Sequence, residues 1–332
     1  MISAGVCDLQ HAFQPMSGSR VALWRLRIIL QPRPGCCGPR VSTTLFARRF
    51  PLTRLGGEVN VVETGTGQPV LFLPGTMTTG VVFAGLLLDL QDCRCILVER
   101  PGTGTSAPLD PPTRTLAAQQ EAADTLLVDV LDGLGIENAD VVSTSFGGFS
   151  TFRSLAAHPD RFRRVFAFGF QVGARLGAIP MSMRAPSLPS RFMPRRVPAN
   201  PTIVRSMLKT AGVRGAIESG RFSDAMVDWM VALLKHTETF RNESLDSPRP
   251  ANLRGEVEQV RHSAALLAKV THPVHLFWGT DDYFGGEAVA TEFASLLPNA
   301  TLEMVPGAEH APWIDQPDKA LAALRSHLMV ET

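Results

Sequence analysis

Short β-type runs alternating with helical stretches constrain this chain more than any other feature. From residue 48 onward such runs fall at 58–63, 70–73, 95–99, 140–143, 164–168, 274–278 and 301–305, with helical text between most of them. That rhythm is the signature of a mostly parallel central sheet flanked by helices, an α/β fold. The clearest helix lies within 115–134, where Ala122, Leu126, Val130 and Leu134 recur every four residues beside Ala123, Leu127 and Leu131. This spacing makes one apolar face for the sheet, and Gly135 is placed to stop the helix.

Two segments break the rhythm. Residues 1–47 carry Arg20, Arg25, Arg27, Arg33 and Arg40 against the single acid Asp8, and Pro32, Pro34, Gly35 and Pro39 interrupt them. They are expected to be a disordered basic extension, with a transit segment or a mis-assigned start as alternatives, and a chain starting near Arg48 is expected to keep its site. Between 171 and 261 the β-rich text stops and Pro, Met, Arg and helical signals such as 223–236 take over. This reads as a helical cap inserted between two parts of one core, residues 48–170 and 262–332.

Composition narrows the partners. Lys and Arg number 32 against 31 Asp and Glu, so no global field draws the chain to nucleic acid or anionic lipid. The longest apolar run, about 81–88, is far short of the roughly 18 residues a spanning helix needs. A soluble, cytoplasmic protein acting on a small molecule is expected. The cysteines are Cys7, Cys36, Cys37, Cys93 and Cys95; their odd number and crowding fit a reducing compartment rather than a disulfide framework, and their spacing is wrong for zinc.

The chemistry begins where Asp140, Val141 and Val142 run into Ser143, Thr144, Ser145, Phe146, Gly147 and Gly148 before a helical stretch. A nucleophilic serine needs a sharp strand-to-helix turn to lift its hydroxyl clear, with small residues two places either side so that strand and helix approach closely. Gly147 meets this fully, while Ser143 stands where glycine is usual. Ser145 is the candidate because it alone has glycine two places on; a plain polar turn is the bland alternative. Serine also needs a base held by a carboxylate. Asp281 and Asp282 lie just beyond the 274–278 run, and His310 lies just beyond 301–305. The order Ser, Asp, His at three strand ends is the order expected of this architecture.

From about Arg48 onward the chain resembles the α/β-hydrolase superfamily. Arg100, Pro101, Gly102, Thr103, Gly104, Thr105 and Ser106 resemble its loop after the fourth strand, and His158, Pro159, Asp160 and Arg161 the end of its helix behind the nucleophile. The resemblance implies a structural role for His158, a lid over the serine, and, through a GxxD pattern read from Gly279, selection of Asp282 over Asp281. Leu73, Pro74, Gly75, Thr76 and Met77 resemble the family's HGx loop with proline for histidine. Acyl transfer needs two backbone N–H donors for the oxyanion. Phe146, the residue after the nucleophile, supplies one, and the resemblance implies Thr76 for the other.

No cofactor is required by such a site. Gly102, Gly104 and Ala107 imitate a dinucleotide fingerprint, but Pro108, Pro111 and Pro112 follow where the phosphate-binding helix should begin, and no GxxxxGK[ST] run exists. In the insertion, Met181, Met183, Phe192, Met193, Phe222, Met226, Trp229 and Met230 either roof an apolar substrate or hold the cap together. Arg184, Arg191, Arg195 and Arg196 read as a solvated face, with contact to a substrate carboxylate as the alternative. The expected function is a cofactor-independent serine hydrolase of a small or medium apolar carboxylic ester. The rivals are carbon–carbon bond hydrolysis with the same residues and a ligand receptor that kept the fold. Epoxide hydrolysis and dehalogenation are disfavoured, since the relatives that perform them carry aspartate at the nucleophile.

Overall fold

The structure, a computed structural model, describes residues 14–16, 22–30, 41–179, 192 and 194–329, with side chains described from residue 46 onward. Met181, Met183, Arg184, Arg191, Met193, Cys7, Cys36 and Cys37 lie outside the described residues. One sheet organises the chain. Its strands are β1 (Gln14–Met16), β2 (Ala22–Leu30), β3 (Val41–Pro51), β4 (Glu58–Thr64), β5 (Gln68–Leu73), β6 (Cys93–Glu99), β7 (Ala139–Ser145), β8 (Phe162–Gln171), β11 (Val274–Gly279) and β12 (Ala300–Val305). A separate small pair, β9 (Ala251–Asn252) with β10 (Gly255–Glu256), precedes β11. The order across the sheet is β1-β2-β3-β4-β6-β5-β7-β8-β11-β12. Strands from β6 to β12 run parallel, and β1 to β4 add an antiparallel edge.

The expectation of a disordered extension through residue 47 is corrected here, because β2 pairs antiparallel with β3 from Ala22↔Arg49 to Leu30↔Val41. Arg25 and Arg27 alternate with Trp24, Leu26 and Ile28, which is the period-two pattern of a strand rather than a broken apolar run. Since β3 also pairs with β4, a cut at Arg48 would divide a strand.

Helices cover the parallel block. On one side α2 (Leu116–Leu134), α3 (Phe146–Ala157), α8 (Ala264–Leu267) and α9 (Glu287–Ser295) share a core with Leu71, Leu73, Val141 and Trp278. On the other, α1 (Ala84–Leu87), α10 (Pro312–Asp315) and α11 (Pro317–Leu328) share one with Val70, Phe72, Val142 and Phe277. Adjacent residues of one strand divide between the two cores because successive side chains point to opposite faces. Thr115 caps α2 by accepting the Ala118 N–H, and Gly135 ends it in the left-handed conformation at φ 66°.

Between β8 and β11 lie α4 (Pro201–Thr210), α5 (Arg214–Glu218), α6 (Asp224–His236) and α7 (Thr239–Asp246). Val204, Val227 and Met230 on these helices, and Phe222 just before α6, are buried in the second core. Phe222 and Met230 therefore anchor these helices on the body of the protein. Met226 and Trp229 are half-buried, Phe192 is exposed, and Arg195 and Arg196 are exposed as expected of a solvated face.

Candidate active site

Strand β5 lies between β6 and β7, so the chain leaves it in opposite directions. The crevice outside the carboxyl ends at such a reversal is where α/β sheets bind ligands. The loops after β5 and β7 meet there. Ser145, the last residue of β7, has φ 50° and ψ −116°. That backbone is sterically costly for any residue with a Cβ, and such strain gathers at functional sites. Glycine is demanded next to it: a Cβ on Gly147 would sit 2.3 Å from the Leu73 carbonyl oxygen, and one on Gly75 3.0 Å from Ser145 Cβ. The unusual Ser143 is accommodated because its hydroxyl donates to Gln171 Oε1 at 3.1 Å.

Asp282 and His310 come together two and three strands away. His310 Nδ1 donates to Asp282 Oδ2 at 3.0 Å, with Oδ1 at 3.2 Å. The carboxylate is fully enclosed, its side chain 0% exposed, and it also accepts the N–H groups of Phe170 at 2.8 Å and Phe284 at 3.0 Å. Asp281 is exposed and accepts the Thr280 hydroxyl instead. With Nδ1 engaged, Nε2 is the ring nitrogen left for chemistry. The edge of Phe284 packs on the imidazole at 4.6 Å between centroids, and the His310 N–H donates to the Gly212 carbonyl at 2.9 Å. Among the described residues the Ser145 hydroxyl makes no hydrogen bond, and none joins it to His310. Catalytic contacts of this kind often close only when substrate is bound.

Thr76 is exposed, in the turn after β5, and its N–H has no partner among the described residues. Phe146 begins α3, where an N–H lacks an intrahelical acceptor. Both expected donors are thus free. His158 caps the end of α3, away from the elbow, as expected of a structural residue.

Sequence named Arg100 only as the first residue of the loop after the fourth strand, with no role in the site, and did not single out Glu243. Arg100 follows β6 and Glu243 lies on α7, and they form an ion pair with both side chains buried. Burial holds the Glu243 carboxyl above the usual carboxylate range, against the opposing pull of Arg100 and the Met77 N–H. No sequence signal joins residues so far apart. Around them α7 docks on the loop after β6. Gly104 N–H donates to Thr239 Oγ1 at 2.9 Å, and Asn242 Nδ2 donates to the Gly102 carbonyl at 3.0 Å. Thr239, Asn242 and Glu243 share one helix face because they are three and four residues apart. A cleft lined by Arg100, Leu109, Gln119, Leu126, Phe146 and Glu243 opens beside the elbow.

Among the described residues there is no cluster of His, Cys, Asp or Glu able to hold a metal, and no helix is long and apolar enough to cross a membrane. Comparison with known proteins agrees with the architecture. The chain is 25% identical over 258 residues to the 2-hydroxy-6-oxononadienedioate/2-hydroxy-6-oxononatrienedioate hydrolase of Cupriavidus pinatubonensis, covering 76% of this chain and 84% of that one. It is 26% identical over 273 residues to the pimeloyl-[acyl-carrier protein] methyl ester esterase of Chromobacterium violaceum, covering 80% and 97%. The structure of 2-hydroxy-6-oxo-6-phenylhexa-2,4-dienoate hydrolase from Rhodococcus sp. strain RHA1 superposes with a TM-score of 0.70 at 18% identity, covering 87% of this chain and all of that one. The sequence profile of the alpha/beta hydrolase family matches residues 70–324, a span that runs from the strand before the Thr76 loop past His310, and the chain belongs to that family.

Proposed function

We propose that the protein is a cofactor-independent serine hydrolase acting on a carboxylic ester of a small or medium apolar substrate. The observation that carries this reading is the pairing of a backbone-strained Ser145 with an imidazole already held through Nδ1 by a buried carboxylate. Ser145 Oγ attacks the ester carbonyl carbon as its proton passes to His310 Nε2, and the C=O electrons move onto oxygen. The N–H groups of Phe146 and Thr76 receive that oxyanion. Its collapse breaks the bond to the alcohol oxygen, which takes the proton from His310 and leaves an acyl-Ser145. Water, deprotonated by His310, attacks the acyl carbon, and release of the acid returns the proton to Ser145. Asp282 keeps Nε2 facing the reaction and stabilises the imidazolium. The helices α4 to α7 act as a cap over the site, excluding water from an apolar substrate.

A second reading is favoured by the relatives named as dienedioate and dienoate hydrolases. In it the same residues cleave a carbon–carbon bond next to a ketone, and the departing carbon takes the proton that the alcohol oxygen takes in the ester reaction. A panel of p-nitrophenyl esters of increasing acyl length, set beside a 2-hydroxy-6-oxodienoate, separates the two. The ester reading expects a burst of p-nitrophenol, then steady turnover that depends on acyl length. Turnover of the dienoate with esters inert transfers the assignment to carbon–carbon cleavage. Stoichiometric ligand binding with neither turnover points to a receptor. The buried free thiols Cys93 and Cys95 are compatible with work in a reducing compartment such as the cytoplasm.

A further inference from the structure

The Thr76 N–H belongs to the same peptide unit as the Gly75 carbonyl, and a planar trans amide points those two groups in opposite directions. Whatever holds the carbonyl therefore aims the N–H. Arg100 Nη2 donates to the Gly75 carbonyl oxygen at 2.9 Å. The same guanidinium is paired with Glu243 Oε1, and Glu243 Oε2 accepts the N–H of Met77, the next peptide along. Met77 holds φ 57°, a left-handed backbone that a residue other than glycine rarely keeps. The guanidinium also lies 4.7 Å above the ring of Phe146, whose N–H is the second donor. One buried ion pair thus grips the oxyanion loop on both sides of Thr76 and touches the other half of the hole.

We propose that Arg100 and Glu243 are positioning residues that orient the Thr76 N–H for the oxyanion, and that Glu243 makes this orientation depend on the seating of helix α7. The proposal deepens the serine-hydrolase reading and rests on it. A cation bound to the Gly75 oxygen also polarises the amide, which strengthens its N–H as a donor. Because Glu243 comes from the inserted helices, the hole is complete only while α7 is docked on the loop after β6. Cap seating and transition-state stabilisation are then one event, a form of induced fit.

The test uses the full chain, a p-nitrophenyl ester, a fluorophosphonate probe and an aryl trifluoromethyl ketone, whose hemiketal adduct with Ser145 places an oxyanion in the hole. Glu243→Gln keeps the volume but offers a single acceptor oxygen where two are used. Arg100→Met combined with Glu243→Met removes the buried charges together, a replacement that such pairs often tolerate without loss of stability. Complete loss of an oxyanion donor costs about 100-fold to 1,000-fold in kcat, so a misaimed donor is expected to cost about 10-fold to 100-fold in both folded variants. KM should stay within about threefold, and trifluoromethyl ketone affinity should fall in step with kcat/KM. Arg100→Lys, which retains a donor for Gly75, should recover part of the loss. Wild-type labelling with kcat and ketone affinity unchanged in the folded variants overturns the clamp alone. A wild type that neither takes the probe nor turns over ester overturns the underlying reading and the clamp with it.

Discussion

Whereas the exposed Asp281 accepts the Thr280 hydroxyl, Asp282 accepts from His310 and from the N–H groups of Phe170 and Phe284. Replacing one of its oxygens by an NH2 sets a donor against those donors and lets the imidazole turn over. Asp282→Asn is therefore expected to lower kcat by about 10,000-fold, the scale seen when a triad carboxylate is amidated, while Asp281→Asn stays within about twofold. Steady-state ester kinetics on both variants, with circular dichroism to verify folding, decide between the two acids. At this scale the candidate site was largely legible, because Ser145, Asp282 and His310 each follow a recognisable strand. The choice of Asp282 came from the resemblance to the family's GxxD pattern, and burial against His310 gives a physical reason for it. The pairing of Arg100 with Glu243 escaped notice since ion pairing between distant residues leaves no periodicity or local motif in a sequence.

Elements are fixed by a few polar anchors as well as by the two cores. Asp129 on α2 is buried and accepts the Thr53 N–H and hydroxyl on one oxygen and the N–H groups of Arg54 and Leu55 on the other. Asp129→Ala leaves these donors without their acceptor and is expected to cost about 3 kcal/mol of stability, with kcat unchanged in the folded fraction; urea unfolding and ester kinetics on one sample measure both. Gly147→Ala acts elsewhere. Its new Cβ meets backbone 2.3 Å away, so β5 and α3 must separate, at a cost of about 1–3 kcal/mol and with loss of activity. The parallel strands and α2 were readable because apolar runs and four-residue repeats are local signals. The β2–β3 edge was not, since the alternating arginines resembled an interruption until paired backbone explained them. The inserted helices share the second core with the sheet. For this reason the proposed cap role is better probed by point substitution at Met226 or Trp229 than by removing the helices.

Across the whole molecule, buried histidines contribute to the pH dependence of stability. Burial, then the neighbouring charge of Arg153, pushes His262 down to about 3, and burial, His275 and Arg164 push His327 down to about 4. A histidine whose folded value lies below its unfolded 6.5 binds fewer protons folded than unfolded. Its contribution is complete above pH 6.5 and is lost as pH falls through 6.5 toward the folded value. Glu99, Asp140 and Asp315, raised mainly by burial, act in the opposite sense, so a difference between variants isolates the histidine. Relative to His262→Gln, the wild type should lose up to about 1.4 kcal/mol per pH unit below 6.5; urea midpoints at several pH values read this directly, and parallel profiles would remove His262 from the account. One serine, held in a strained turn at the carboxyl edge of the sheet, is proposed to carry the chemistry. The most direct test of this is intact-protein and peptide mass spectrometry after exposure to a fluorophosphonate. A single adduct is expected on the Ser145 peptide, absent in Ser145→Ala and formed at least about 100-fold more slowly in His310→Ala. An adduct on another residue, or equal labelling of Ser145→Ala, would contradict it.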